Sequence, residues 1–257
     1  MPSLFDTHTH MDAPQYDEDR HEMINRAIEA GVELFVNIGF NRETIPTTLA
    51  LADQYKQIFA AIGWHPVDSI FMQEGDLEWI EELTKHPKVV AIGEIGLDYH
   101  WDTSPKDVQQ RVFREQIRLA KKLGKPIVIH NRDAHEDIVR ILKEEKADEV
   151  GGVMHCFSGS WETAKKCLDM NFYISFGGPI TFKNARVPKE VLFNTPLDKI
   201  LIETDSPYLT PHPFRGKRNE SGYVSLVAQS AAEIKGLTVE EIGAITMENG
   251  KKCFGIE

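Results

Sequence analysis

Eight short apolar runs, spaced along the whole chain and separated by amphipathic helical stretches, constrain this sequence more than any other feature. They read SLFD, ELFVNIG, IFAAIG, VVAIGEIG, PIVIH, GGVMH, FYISFG and KILIETD, each of a length suited to a strand buried on both faces. Between them lie segments such as DEDRHEMINRAIEAG, which stops on a glycine, and SPKDVQQRVFREQIRLAKKLG, which opens on Ser-Pro and closes on Gly124. Strand followed by helix, repeated eight times with right-handed crossovers, closes into an α/β fold, the (β/α)8 TIM barrel. The 257 residues fit one such barrel, and no low-complexity linker or charge block divides them, so a single domain over 1–257 is expected. A doubly wound open sheet is the alternative. It favours a phosphate loop where the strand order reverses, and neither G-x-G-x-x-G nor G-x-x-x-x-G-K-[ST] occurs.

The polar residues that end these runs carry the chemistry. In a barrel the carboxyl ends of all strands converge on one mouth, and here they carry His8 and His10, His65, Glu94, His130, His155 and Asp205. A lone histidine at such a place is most often a hydrogen-bonded core or rim side chain. The set is harder to dismiss, because several titratable groups gathered from different strands point to metal binding or catalysis. His8 and His10, two apart, share one side of a strand and can grip one ion. Imidazole nitrogen with carboxylate oxygen suits Zn, Mn, Fe or Mg, whereas a soft sulfur site would draw on the cysteines. Cys156, beside His155, is expected to point away and pack. Six ligands exceed the three or four usual for one catalytic zinc, so two ions sharing a carboxylate is the economical arrangement. Glu94 is the natural bridge, with His8, His10 and Asp205 on one ion and His130 and His155 on the other. Such a pair suits displacement at phosphorus, with Asp205 taking or holding the proton of the attacking water.

Charge narrows the substrate. With 29 Lys+Arg against 40 Asp+Glu the formal net charge is −11, which argues against coating nucleic acid or an anionic membrane but leaves room for local capture of a phosphate. Three cysteines without a C-x-x-C spacing suggest neither a disulfide framework nor a structural zinc cluster, and fit a reducing cytoplasm. The amino terminus MPSLFDTHTH has no basic start, and no segment approaches the roughly 18 apolar residues of a membrane span, so an unprocessed cytoplasmic protein is expected.

The motifs FDTHTHMD, GWHP, GEIGLDY, PIVIHNRDA, HCFSG and ETDSP follow in order across nearly the whole chain, and in this the sequence resembles the TatD family. That resemblance implies a metal-dependent amidohydrolase-like barrel and a divalent-metal deoxyribonuclease, a 3′ to 5′ exonuclease on single-stranded DNA. It implies metal ligands at His8, His10, Glu94, His130, His155 and Asp205, with Glu94 and Asp205 at the reaction itself. One departure is visible: where the family often reads NEP, this chain has Asn219, Glu220 and Ser221. The neighbouring PHPFRGKRN still matches the family's Arg-Gly-Lys segment, and its Arg215, Lys217 and Arg218 form either a phosphate-binding loop or a solvated charged one.

Other candidates divide between substrate and structure. His65 could face the site and hydrogen-bond a phosphate or the leaving group. Arg132 suits a phosphate or a barrel carboxylate equally well. Glu203 could orient a metal ligand from behind or be a buried, paired carboxylate, and the first is favoured. Trp64, Trp101 and Tyr99 could stack on bases, but packing is the expectation. Three functions compete: hydrolysis of DNA phosphodiesters, hydrolysis of an amide, ester or lactone on the same barrel, and a metal-binding scaffold without turnover. Many barrels of the second kind bridge their metals through a modified lysine at the fourth strand end; Glu94 there favours the nuclease. The resulting expectation is two divalent ions per chain, Mg, Mn or Zn, with DNA ends as substrate, no membrane and no stable protein partner.

Overall fold

The computed structural model describes residues 2–257. Eight parallel strands, β1 (Leu4–Thr9), β2 (Val32–Gly39), β3 (Ile58–Ile62), β4 (Val89–Asp98), β5 (Ile127–Arg132), β6 (Gly152–Met154), β7 (Phe172–Phe176) and β8 (Ile200–Ile202), pair in chain order. The sheet comes round on itself just past β8. There the Asp205 N–H donates to the His8 carbonyl at 2.9 Å and the His10 N–H to the Ser206 carbonyl at 2.8 Å. Helices α1 (Arg20–Glu29), α2 (Thr44–Gln54), α3 (Asp76–Leu83), α4 (Lys106–Leu123), α5 (His135–Glu144), α6 (Trp161–Leu168) and α7 (Arg186–Asn194) follow the first seven strands, and α8 (Val224–Lys235) and α9 (Val239–Phe254) follow the eighth. The (β/α)8 barrel expected from the sequence is the fold the chain adopts, and the open sheet is excluded.

Side-chain alternation along the strands makes two apolar layers. Ile58, Ile62, Ile127 and Ile129 pack under the helices with Ile117 and Ile138. Phe5, Val36, Ala61, Val128, Val153 and Leu201 fill the interior, which Phe254 of α9 plugs where β1 begins, its ring 6.1 Å from that of Phe5. Helix α4 buries Val112, Phe113, Ile117 and Ala120 on one face and ends, as its sequence predicts, on Gly124 at a φ of 62°. No helix of the described residues is long and apolar enough to cross a membrane.

Two departures from regular pairing aim the mouth of the barrel. Between Asp6 and Thr9, β1 carries one residue more than β2 does between Phe35 and Asn37; between Ile92 and Ile95, β4 exceeds β5 by one in the same way. Extra residues of this kind re-aim side chains. They bracket His8 and Glu94, which come from strands that are not neighbours and still meet, Nε2 to Oε2, at 3.4 Å. Gly96 follows on β4, where a Cβ would lie 2.0 Å from the His130 carbonyl oxygen, so only glycine lets the two strands approach.

Candidate metal centre

Six side chains that the sequence singled out converge around the Glu94 carboxylate. Its Oε2 lies 3.4 Å from His8 Nε2 and 4.0 Å from His10 Nε2, and Asp205 Oδ1 lies 3.7 and 3.3 Å from the same two nitrogens. Its Oε1 faces the other way, 2.6 Å from His130 Nδ1, 3.6 Å from His155 Nε2 and 3.7 Å from His65 Nε2. The two sides touch, since the rings of His8 and His155 stack with centroids 3.5 Å apart. His8, His10, Glu94 and His155 are buried, while the Asp205 side chain keeps 13% of its surface open. Both ring nitrogens of His8 are buried without a hydrogen-bond partner among the described residues. Orphaned lone pairs beside carboxylate oxygens fit a divalent cation, and the donor set of imidazole nitrogen and carboxylate oxygen fits the same group.

Hydrogen bonds sort the histidines by tautomer. His65 Nδ1 accepts the Val67 N–H at 3.2 Å, so its Nε2 carries the proton and points it at the site as a donor. His65 therefore reaches the centre but does not offer a lone pair to it. His130 is the reverse case: Nε2 donates to Asp98 Oδ2 at 2.9 Å, which turns Nδ1 toward Glu94. His155 Nδ1 lies 2.8 Å from Glu203 Oε1. Nδ1 makes no regular hydrogen bond there, but a carboxylate that close still supports the ring electrostatically. An imidazole backed by a carboxylate is the arrangement that fixes metal-binding histidines.

The electrostatics follow from crowding. Burial opposes charge on His130 and His155, yet Asp98 and Glu94 raise the first to about 9, and Glu203 and Glu94 raise the second to about 10. Burial, reinforced by His130, pushes His65 down to about 3, which keeps it neutral. Burial and His155 lower His8, while His10 is raised against its burial by Asp205. Against its own burial Glu94 is held well below the usual carboxylate range by His155 and His8, and Asp205 is lowered by His10.

The remaining sequence candidates lie around this cluster. Glu203 is fully buried and accepts from the Cys156 N–H at 2.8 Å and the Ser175 hydroxyl at 2.5 Å, besides its contact with His155. For Cys156 the strand argument does not apply, because β6 ends at Met154 and the cysteine takes a φ of 39°. Arg132 ends β5 on the rim, its guanidinium 5.7 Å over the exposed Trp101 ring and free of any carboxylate partner among the described residues. Trp101 is thus not the packing residue expected, whereas Trp64 is buried and Tyr99 donates to Asp137 at 2.6 Å. Arg215 and Lys217 line a cavity of about 350 Å³ in the loop after β8. Arg218 instead ties that loop to α1's entrance through Asp19, at 2.6 Å. Where the family often reads NEP, Asn219 donates to the Thr204 and Tyr208 carbonyls at 2.9 and 2.6 Å, so this segment holds the loop to the end of β8.

Sequence reasoning passed over the residues that steady the cluster. Asp98, inside the quoted GLDY, holds His130. Two buried glutamines of α4, seven apart and so on one face, each grip a backbone at two points. Gln109 accepts from the Asp98 N–H and donates to its carbonyl, both at 2.8 Å, and Gln116 does the same for Trp64, next to His65, at 2.7 and 3.0 Å. Polar residues at core positions of an otherwise amphipathic helix were the available signal. Asp6 accepts from Thr204 N–H and hydroxyl at 2.9 and 2.6 Å and so anchors the turn in which Asp205 holds a φ of 54°.

Residues 5–255 match the model of the family described as TatD related DNase. The chain belongs to the TatD family. It is 62% identical over 253 residues to a Bacillus subtilis (strain 168) protein described as an uncharacterized metal-dependent hydrolase, YabD, covering 98% of this chain and 99% of that one. At 35% identity over 258 residues, with 98% and 99% covered, it is similar to an Escherichia fergusonii protein described as the 3′-5′ ssDNA/RNA exonuclease TatD. The crystal structure of YJJV, a TatD homolog from Escherichia coli K12, superposes with a TM-score of 0.93 at 31% identity over 99% of this chain and 98% of that one. This chain is accordingly a metal-dependent hydrolase of that family, built on its barrel.

Proposed function

We propose that the chain is a cytoplasmic 3′ to 5′ exodeoxyribonuclease that hydrolyses phosphodiester bonds of single-stranded DNA with two divalent ions, Mg, Mn or Zn. The observation that carries this reading is the division of Glu94, one oxygen facing His8 and His10, the other His130 and His155. One ion would be held by His8, His10, Asp205 and Glu94 Oε2, the second by Glu94 Oε1, His130 Nδ1 and His155 Nε2. Such ions supply Lewis acidity, which acidifies water and neutralises charge on a phosphoryl group.

The chain's own groups do the rest. Asp205, the most open carboxylate of the cluster, accepts the proton of the attacking water. His65, neutral with its Nε2–H aimed inward, donates a hydrogen bond to the phosphate or the departing oxygen. Arg215 and Lys217 on one rim and Arg132 on another supply positive charge for the phosphates of the strand. A net charge of −11 leaves no reserve for a continuous basic groove, so a free terminus is the substrate. All three cysteines are unpaired, in keeping with a reducing compartment.

The test uses protein stripped of metal, end-labelled single- and double-stranded DNA, covalently closed single-stranded circles, and Mg, Mn or Zn restored separately. Stepwise shortening from the 3′ end, dependent on added metal, with circles left intact, is the expected result. Rapid cutting of circles would overturn the need for an end. Turnover of lactones or esters with no attack on DNA under any metal would overturn the nuclease reading itself.

A further inference from the structure

Two exposed aromatic rings, Tyr208 and Trp101, flank the metal centre from opposite sides, each with cationic side chains nearby. In a barrel whose strands run in the order β1 to β8, the loops after β4 and β8 stand half a turn apart. The β8 loop carries Tyr208, 51% exposed, with its ring edge-on to His10 at 5.9 Å. Its neighbours Leu209 and Thr210, with Phe182, Arg215 and Lys217, line the cavity of about 350 Å³, and the Arg215 guanidinium lies 4.6 Å over the Phe182 ring. That volume is in the range of small-ligand pockets, roughly 300–1,000 Å³. Across the mouth the β4 loop presents Trp101, 54% exposed, beneath Arg132 of β5. This loop is fastened to the centre, because Asp98, which orients His130, also accepts the His100 and Trp101 N–H groups at 2.9 and 3.2 Å through Oδ1. The two sides differ: the β8 loop encloses a cavity among the neighbours of Tyr208, whereas the β4 loop offers an exposed ring beneath a guanidinium.

We propose that one strand lies across the mouth, with the terminal nucleotide between Tyr208 and the adjoining cavity of Arg215 and Lys217 and the upstream nucleotide stacked on Trp101 under Arg132. The inference rests on the nuclease reading and adds the direction in which the strand lies. A cavity of about 350 Å³ has room for one unit, which suits the nucleotide about to leave; the exposed Trp101 ring can take a base of a longer chain. Every base offers a π-face and every link a phosphate, so aromatic rings paired with guanidinium or ammonium groups bind a single strand without reading its sequence.

The experiment is a coupling measurement. Single-stranded oligonucleotides are prepared with one abasic residue, either at the 3′ terminus or at the position next to it, and kcat/KM for the first cleavage is measured for the parent, Trp101→Ala, Tyr208→Ala and Tyr208→Phe, with metal content and melting temperature compared for each. Loss of a stacked base or its aromatic partner lowers kcat/KM by roughly five- to 150-fold. Terminal base removal should cost the parent and Tyr208→Phe that factor and cost Tyr208→Ala nothing further; upstream base removal should be silent only in Trp101→Ala. Costs that multiply at both positions, or Tyr208 coupled to the upstream base, overturn the proposal while leaving the nuclease reading intact. If the parent cleaves no oligonucleotide with any metal, the nuclease reading fails and this one falls with it.

Discussion

The two halves of the metal centre are built differently. On the β5 and β6 side each imidazole has a carboxylate behind it, Asp98 on His130 and Glu203 on His155. On the β1 side, among the described residues, His8 and His10 meet carboxylates only through Nε2, at Glu94 and Asp205, and their Nδ1 atoms are buried with no hydrogen-bond partner. The backed side thus fixes ring orientation in advance and raises the basicity of the ligand nitrogens, whereas the β1 side relies on the strand and on Asp205 to aim its rings. The difference teaches that one carboxylate, Glu94, joins a preset half to a less constrained one, so its two oxygens should respond unequally to damage nearby.

The largest effect expected is from removing that join. Glu94→Ala takes a donor from both halves and leaves the histidines facing one another, so the variant should lose both ions where any other single ligand change loses one. Elemental analysis after dialysis measures this; a Glu94→Ala protein that kept two ions per chain while His8→Ala lost both would break the comparison at its centre. Next in size, Asp205→Asn keeps the shape of the β1 half and removes the carboxylate proposed to accept the proton. It should bind a short oligonucleotide about as well as the parent and cleave it at least roughly a hundredfold more slowly, as loss of a general base does. Near-parental cleavage at saturating metal would move the acceptor's role elsewhere.

The backing carboxylates sharpen the contrast. Asp98→Asn and Glu203→Gln should each weaken one ion by about ten- to a hundredfold and leave the other unchanged, in line with the usual cost of such losses. Competition with a chelator resolves the two ions; equal weakening of both would show that the halves are not separable. Smaller still is a proton count. His130 at about 9 and His155 at about 10 hold protons at pH 7.5 that a cation must displace. Raised values mean that affinity on this side climbs as pH rises toward 9 to 10, and calorimetry in buffers of different ionisation enthalpy should detect proton release. Uptake without release would contradict the raised values.

Much of this arrangement was legible in the sequence because it depends on strand ends. Apolar runs too short for helices announced the barrel, and a parallel barrel brings its strand ends to one mouth, so His8, His10, Glu94, His130, His155 and Asp205 could be read as neighbours without coordinates. What escaped was whatever depends on direction. The extra residues in β1 and β4 that re-aim His8 and Glu94 leave no mark in a hydrophobic pattern. Asp98 resembled any acidic residue at a strand end, and only the structure shows it divided between His130 and the Trp101 loop. Gln109 and Gln116 are ordinary helix formers by type, and only the fold puts their buried amides on the backbones of Asp98 and Trp64. Trp101 was expected to pack because most rim aromatics do, and its exposure is decided by a loop whose path periodicity does not predict.

The central claim is that two ions sit on opposite sides of one carboxylate. Anomalous diffraction at the manganese edge, from crystals of the parent protein loaded with Mn, tests it most directly. The account predicts two peaks, one beside His8, His10 and Asp205 and the other beside His130 and His155, each with a different oxygen of Glu94 as ligand. A single peak at saturating metal, or two peaks neither of which touches Glu94, would contradict it.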